Sequence, residues 1–392
     1  MDKFLLSNEI QDLINSNLNT DVAKLALQKN KFANVEWTSI LSQIVAKQKA
    51  KTKLPSWFST SNIYYPSKIS VEQTSSEKTA QYKSDLISGS SLIDLTGGFG
   101  VDDFYFSKKI NQVVHCEISA DLSKIVDYNF KQLNVENIRC IVGDSAETLK
   151  NLDEKFDWIY IDPSRRNEAK GKVFMLKDCV PNVTELLDYY FEYSPKIMIK
   201  TAPILDISAG LLELKNVKAI HIVAIHNEVK ELLWILEKNY TKSIAIKTTN
   251  LVKDEWEKFS FILGNETIAT YSLPKKYLFE PNASVMKSGG FNEIMVQFNV
   301  KKLQQHSHLY TSDNIIDFPG RIFEIETCFD YNKQNMKSFL ESKKANITTR
   351  NFPESVENIR KKWKINDGGD LYCFCTTDVN NNKIVLLCNK IK

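Results

Sequence analysis

The 392 residues lack a long apolar run, an excess of either charge and a metal-spaced cysteine pair. No run approaches the roughly 18 apolar residues that would suggest a membrane-spanning helix. Fifty-one basic residues against 48 acidic ones leave a net charge of +3. No global basic field therefore announces nucleic acid, and any such signal has to be local. The seven cysteines, at 116, 140, 179, 328, 373, 375 and 388, contain no Cys-x-x-Cys pair and mostly sit in apolar, strand-like runs. Buried reduced thiols in a reducing compartment are expected. The opening MDKFLLSNEIQDL has no apolar core and no small-residue cleavage site, so it does not read as a secretory leader. No linker, low-complexity tract or repeat array interrupts the chain. These absences point to a soluble, cytoplasmic protein, and the length suggests two to four domains at roughly 100–200 residues each.

What is present begins with helices. Leu5, Ile10, Leu13, Ile14, Leu18, Val22, Leu25 and Leu27 recur at helical spacing, and a second amphipathic stretch runs from Trp37 to Lys47. Thr74-Ser-Ser-Glu77 has the form of a capping box opening a helix that ends near Gly89. From Ser91 short apolar strands alternate with amphipathic helices. Strands are expected at Leu92–Leu95, Val113–Glu117, Arg139–Val142, Trp158–Ile161, Lys196–Lys200, Ala219–Ala224 and Ser243–Lys247, with Phe259–Leu263 at an edge. That alternation predicts a parallel sheet covered on both faces. Asn227-Glu228 with Lys230-Glu231 follows the sixth strand at the same carboxyl edge as the other acids, and also reads as a helix start with acids near its positive end. Beyond Asn265 turn signals multiply, and a smaller α+β pattern follows. It has strands at Phe323–Glu326 and Ile347–Thr349, helices at Lys333–Ser342 and Pro353–Trp363, and a hairpin of Leu371–Thr376 with Ile384–Cys388.

The strongest chemical signal is Leu92-Ile-Asp-Leu-Thr-Gly-Gly-Phe-Gly-Val-Asp102. An apolar strand ends at Asp94, and a turn through Thr96, Gly97, Gly98 and Gly100 opens a helix. The glycines let a ligand approach the backbone, and exposed amides there favour an anionic group. About 20 residues on, the second strand ends in Glu117-Ile118, an acid suited to both hydroxyls of a ribose. Asp144-Ser145 follows the third strand, and Asp162-Pro163 the fourth. All four clusters lie at carboxyl ends of successive strands, the ligand-binding edge of open parallel sheets. Taken singly, the glycines are also compatible with a tight strand–helix turn, Glu117 with a surface acid and Asp144 with a helix cap. A nicotinamide enzyme is the nearest competitor, but Gly-Gly-x-Gly departs from its Gly-x-Gly-x-x-Gly. The acid together with Asp162-Pro163 after the fourth strand also fits an S-adenosylmethionine-dependent methyltransferase better.

Asp162-Pro163-Ser164-Arg165-Arg166 occupies the place of the Asp/Asn-Pro-Pro-aromatic loop of amino-methyltransferases. In that loop a side-chain oxygen and a backbone carbonyl hold an exocyclic amine, so that its lone pair meets the methyl group in line. Positioning is most of the work, and no metal is needed. Here Ser164 replaces the second proline and Arg165 the aromatic residue, which leaves the acceptor atom open. Arg165 and Arg166 can stack on a base or meet phosphate; they can equally be structural ion-pair partners. Lys170 and Lys172 add two cations beside them, which favours a polyanion such as RNA.

Between Lys333 and Lys364 stand nine basic residues and three acids. That excess is larger than the charge of the whole chain, so basic charge is concentrated in the C-terminal module, as RNA docking requires. A solvated helix face would also account for it. His306-x-His308 lacks further metal ligands nearby, and Cys373-x-Cys375 reads as core packing on a strand.

Several of these stretches carry a resemblance. Ser70-Val-Glu-Gln-Thr-Ser-Ser-Glu77, Asp94–Asp102, Asp162-Pro-Ser-Arg165, Glu280-Pro-Asn-Ala-Ser-Val-Met-Lys287, Phe318-Pro-Gly-Arg321 and Asn351-Phe-Pro353 together resemble a family of class I S-adenosylmethionine-dependent methyltransferases with a C-terminal THUMP-like domain. The catalytic part is also similar to RNA guanine N2-methyltransferases. The resemblance implies an α/β fold with a Rossmann-like class I methyltransferase sheet, an N-terminal helical region and C-terminal ferredoxin-like and THUMP-like α+β modules. It suggests divisions at 1–70, 71–265, 266–325 and 326–392. It implies cofactor contacts at Asp94, Gly97, Gly98, Glu117 and Asp144, an acceptor at Asp162, and RNA, tRNA or rRNA, as partner. A small-molecule or protein methyltransferase, and a non-catalytic RNA-binding protein on the same fold, are the alternatives.

Overall fold

The protein is described by a computed structural model that covers residues 1–66, 68–165 and 175–392. Contacts divide it into two units. The first holds 1–217 with 234–240, and the second 218–233 with 241–392.

In the first unit, helices α1 (Asn8–Ser16), α2 (Val22–Ala26), α3 (Trp37–Lys53), α4 (Pro55–Ser59), α5 (Lys68–Gln73) and α6 (Glu77–Ser84) precede the sheet. Proline opens α4 at its first turn, where a missing N–H costs nothing. Trp57, Tyr65, Val71 and Ala80 from this layer share a buried cluster with Phe99, Phe104, Val126 and Phe130. The capping box expected at Thr74–Glu77 does not form. Ser76 caps α6 by accepting from the Thr79 N–H. Glu77 instead faces α4, where it accepts from the Ser56 N–H at 2.6 Å and hydroxyl at 2.8 Å, and from the Tyr105 hydroxyl at 2.7 Å. A long-range set of three donors outcompetes the local one.

The sheet follows as β1 (Ser91–Asp94), α7 (Val101–Phe106), β2 (Gln112–Glu117), α8 (Ala120–Gln132), β3 (Ile138–Val142), α9 (Ser145–Leu152) and β4 (Trp158–Ile161). A short ribbon, β5 (Ser164–Arg165) with β6 (Cys179–Val180), leads to α10 (Val183–Tyr193), β7 (Lys196–Thr201) and α11 (Ile207–Glu213). Strands β3-β2-β1-β4-β7 lie side by side in that order and all run parallel. The order reverses between β1 and β4, the position where open sheets of this kind carry their ligand crevice. Ile93, Cys116, Ile159, Ile161, Ile197 and Ile199 are fully buried, as strands covered on both faces require. The Rossmann-like sheet expected from the alternation is present.

The chain passes into the second unit within β8 (Val217–Ile225). Asn227-Glu228 does not start a helix. His226 and Asn227, at φ of 51° and 63°, form a two-residue turn into β9 (Glu228–Glu237). Two successive left-handed residues suit a hairpin, and the six consecutive buried residues 231–236 exclude a helix with one wet face. Strand β10 (Ala245–Val252) runs parallel to β8, and β11 (Glu255–Ile262) returns antiparallel to β10.

The remaining chain builds a second, seven-stranded sheet from β12 (Tyr277–Pro281), α12 (Ala283–Ser288), α13 (Glu293–Phe298), β13 (Lys301–Lys302), β14 (Tyr310–Ser312), β15 (Gly320–Asp330), α14 (Lys333–Phe339), β16 (Asn346–Arg350), α15 (Val356–Trp363), β17 (Leu371–Thr377) and β18 (Lys383–Lys390). The order is β13-β14-β12-β15-β18-β17-β16. Strand β15 pairs with β12 on one side and β18 on the other, so the stretches before and after residue 320 share one sheet. Cys373 and Cys375 are fully buried in its core. No helix among the described residues is long and apolar enough to cross a membrane.

Candidate cofactor and acceptor site

The turn after β1 is tied down by side chains. Asp94 is 2% exposed, and its Oδ1 accepts from the Thr96 N–H at 2.7 Å and the Thr96 hydroxyl at 3.0 Å. The same hydroxyl oxygen accepts from the Asp162 N–H at 2.7 Å, which joins the ends of β1 and β4. Gly97 lies flat on the buried His115 ring: a Cβ there would stand 2.2 Å from it. Gly100, at φ 74°, caps α7, and a Cβ there would stand 2.6 Å from Phe130. Both positions require glycine. Gly98 adopts φ 55° and donates its N–H to Glu117 Oε2 at 3.0 Å.

Glu117 thus closes the turn from β2. Its other oxygen accepts from the Ser119 N–H at 2.8 Å. Beside it Ile118 is 73% exposed, and Val142, the register partner of Glu117 on β3, is 50% exposed. Two bare apolar side chains frame this edge. Asp144 caps α9 through Oδ1, from the Ala146 N–H at 2.9 Å and the Glu147 N–H at 3.3 Å. The cap expected as an alternative for this residue is therefore made. Ser145 is buried, with its hydroxyl 3.4 Å from that of Tyr190.

At the end of β4 the Asp162 carboxylate forms an ion pair with Lys200, which stands near the end of the neighbouring β7. Pro163 is buried and Ser164 exposed, its hydroxyl 3.5 Å from the Val180 carbonyl. The backbone of Arg165 pairs with Cys179. Arg166, Lys170 and Lys172 lie outside the described residues. The structure thus gathers Asp94, Thr96, Gly97, Gly98, Gly100, Glu117 and Asp162 through direct bonds, and sets Asp144 and Ser145 after the next strand. Sequence reasoning missed Lys200. Its signal was a lone charge near the carboxyl end of the apolar strand Lys196-Ile-Met-Ile-Lys200, on the same edge as the acids.

A buried ionic layer lies behind the turn. His115, fully buried, meets Asp103 Oδ2 through Nδ1 at 2.7 Å. Burial and the neighbouring Asp103 hold the Asp94 carboxyl well above the usual range; burial and Asp102 do the same to Asp103. Burial pushes the His115 imidazolium the other way, toward the neutral ring. Asp102, the residue before Asp103, is half-buried; burial raises its carboxyl too, but Lys83 and Lys200, with hydrogen bonds from Tyr160 and Ser75, bring it below the ordinary value. Lys83, 0% exposed, lies 3.2 Å from Asp102 and donates to Ser75 at 3.0 Å. Ser75 and Tyr160 each donate to Asp102 Oδ2 at 2.8 Å. The loop before α6 is thereby anchored to the start of α7.

The chain is similar to known proteins. Residues 277–319 match a ferredoxin-like domain family, and residues 320–390 a THUMP domain-like family. A crystal structure of a candidate methyltransferase from Porphyromonas gingivalis W83 is 29% identical, with a TM-score of 0.86, over 100% of this chain and 99% of that one. An uncharacterised RNA methyltransferase of Clostridium acetobutylicum is 26% identical over 120 residues. That match takes in 30% of this chain and 25% of the relative, so the chain spans about a quarter of that protein's length. The expected resemblance to methyltransferases with a THUMP-like terminal domain, and the expected fold class, are borne out.

Proposed function

We propose that this chain transfers a methyl group from S-adenosylmethionine to a nucleobase of structured RNA, tRNA or rRNA. One observation carries the reading: the Asp94–Gly100 turn, Glu117, Asp144 and Asp162 follow four adjacent parallel strands at one edge. The match to the Porphyromonas gingivalis structure supports methyl transfer, and the THUMP-like match and the Clostridium relative support RNA.

The residues present fit the cofactor. Each Glu117 oxygen spends one lone pair on a backbone amide and keeps another for a ribose hydroxyl. The exposed Ile118 and Val142 side chains offer the faces an adenine needs. The amides of Thr96, Gly97, Gly98 and Gly100 are already bound within the fold, so these residues seat the methionine moiety by close backbone approach, and Asp94 stands on its amino side. Asp144 and Ser145 lie where the adenine amino group would be read. When bound, the cofactor supplies an electrophilic methyl on sulfur.

The chain's own part is placement. With Oδ2 of Asp162 held by Lys200 and its N–H held by Thr96, Oδ1 is left to accept from an N–H of the acceptor. Pro163 and Ser164 supply the adjoining carbonyls. Arg165, Arg166, Lys170 and Lys172, which follow in the sequence, are assigned to the nucleic acid on their charge alone. The methyltransferase part is taken as residues 71–265, with the terminal modules docking RNA. Mass spectrometry of nucleosides from cells with and without the gene tests this reading. One methylated nucleoside should vanish with the gene; identical inventories would contradict RNA methylation. Ribonuclease-sensitive co-purification separates it from small-molecule or protein methylation.

A further inference from the structure

Three sequence fragments that the methyl-transfer site leaves unused meet in the second unit. They are Glu280 of β12, Arg321 at the start of β15 and Arg350 at the end of β16. Glu280 is 3% exposed. Its Oε2 accepts from Arg321 Nε at 2.6 Å, and its Oε1 from Arg350 Nη2 at 2.9 Å. The two guanidiniums stay 38% and 37% exposed. One buried carboxylate therefore aims two half-exposed forks that it cannot neutralise alone.

The loop between β13 and β14 is strapped over the same place. Asn351 donates to Gln304 at 2.8 Å, Thr376 to the Ser307 hydroxyl at 3.0 Å, and Ser307 to the Thr377 carbonyl at 3.0 Å. That brings His306 and His308 to the ends of β16 and β17. His308 stacks on Phe291 with ring centres 3.8 Å apart. Lys302, 3% exposed, is held by the Gln305 carbonyl at 2.9 Å. The acids facing these cations are Glu280 and Glu293. Burial holds the His308 imidazole down at about 4, and Lys302, Arg350 and His306 add to it; the positive field comes from these cations together with Arg321. Among the described residues, Arg350 Nε and His308 Nδ1 are both buried with no hydrogen-bond partner. Orphaned polar atoms of this kind call for a missing partner. In a positive field an oxyanion is the partner that fits, and the planar guanidinium fork suits a phosphate.

We propose that Arg321, Arg350, His306 and His308 form an oxyanion seat that takes a backbone phosphate of the RNA. The inference rests on the RNA reading above and assigns it a place. A free phosphate shares this chemistry, so the test separates the two sources.

The full chain is titrated with fluorescently labelled bulk tRNA over a range of KCl concentrations, and separately with inorganic phosphate. Three variants are compared: R350Q, R350K and the double variant E280Q/R350Q. The double variant leaves no buried carboxylate without its partner, so it keeps the test open if R350Q folds poorly. In both R350Q and the double variant, tRNA affinity should fall about three- to tenfold near 100 mM KCl. The slope of log affinity against log salt should shrink by about one phosphate contact. R350K, which keeps the charge and loses the fork, should lie between. Cofactor affinity should not change. A folded double variant with the wild-type curve and slope overturns the seat. Loss of inorganic phosphate binding with an unchanged tRNA curve overturns its assignment to RNA. A wild type that binds no tRNA even at low salt overturns the RNA reading and this inference together.

Discussion

The two charged centres of this chain are built with opposite signs. At the edge of the parallel sheet, carboxylates predominate, and most of them hold backbone: Asp94 holds Thr96, Glu117 holds Gly98 and Ser119, and Asp144 holds the start of α9. Lys200 is the cation that meets Asp162. In the seven-stranded sheet the arrangement is inverted, with one buried carboxylate directing two arginines. On the proposed function, the first pattern serves a cationic, amine-bearing ligand. The second leaves cations facing outward, as a polyanion requires. The contrast suggests that cofactor and nucleic acid are read by separate regions with separate electrostatics, and substitutions at the first can be used to break or sharpen it.

The largest effect should come from the acceptor end. D162A should lower turnover about 1000-fold, within the range that orientation of the reacting group contributes, with cofactor affinity unchanged by calorimetry. K200M should cost about 10- to 100-fold in kcat, because a small misplacement of the acceptor suffices, and K200R should recover part of it. Retained turnover in D162A would remove this residue from the chemistry. E117A should weaken S-adenosylmethionine binding about 100-fold, since two charge-assisted bonds to ribose are lost at about 1.5 kcal/mol or more each. It should leave tRNA affinity alone, and a loss of both would blur the separation of regions.

G97A acts through packing. Its methyl group must displace the buried His115 ring, so a loss of about 1–3 kcal/mol in stability is expected, read as a lower melting temperature. The smallest effect is electrostatic. Asp94 and Asp103 have folded-state values above the ordinary carboxyl value. Their contribution to stability is therefore complete below about pH 4 and is lost as the pH rises through those raised values. Asp102 works the other way, stabilising above its ordinary value and failing in acid. D103N should flatten the decline toward neutral pH, by about 1.4 kcal/mol for every tenfold gain in proton affinity that folding gives this carboxylate. Denaturant titrations at pH 5 and pH 8 measure it. A decline as steep as that of the wild type would show that these two acids do not set it.

Legibility followed the range of the interactions. Strands β1 to β4 were plain in the sequence because each is a short apolar run closed by an acid or a glycine, and their helices repeat locally. The terminal hairpin of β17 and β18 was legible for the same reason. What was missed depends on distant partners. Glu231–Leu236 carries residues that also suit a helix, and only burial among neighbours makes it a strand. Glu77 sat in a sound capping motif until Ser56 and Tyr105 offered better donors. Lys200 gains meaning only beside Asp162, 38 residues earlier. The stretches 266–325 and 326–392 read as separate small modules, and two domain families do meet at 319/320; that β15 joins both in one sheet leaves no local mark.

The most direct test of the central claim is a crystal structure of the chain with S-adenosylhomocysteine. The account predicts ribose hydroxyls on the Glu117 carboxylate, the adenine against Ile118 and Val142, and the sulfur facing Asp162. An adenosyl group bound elsewhere, or bound at this edge with Glu117 and Asp162 both turned away from it, would contradict the account.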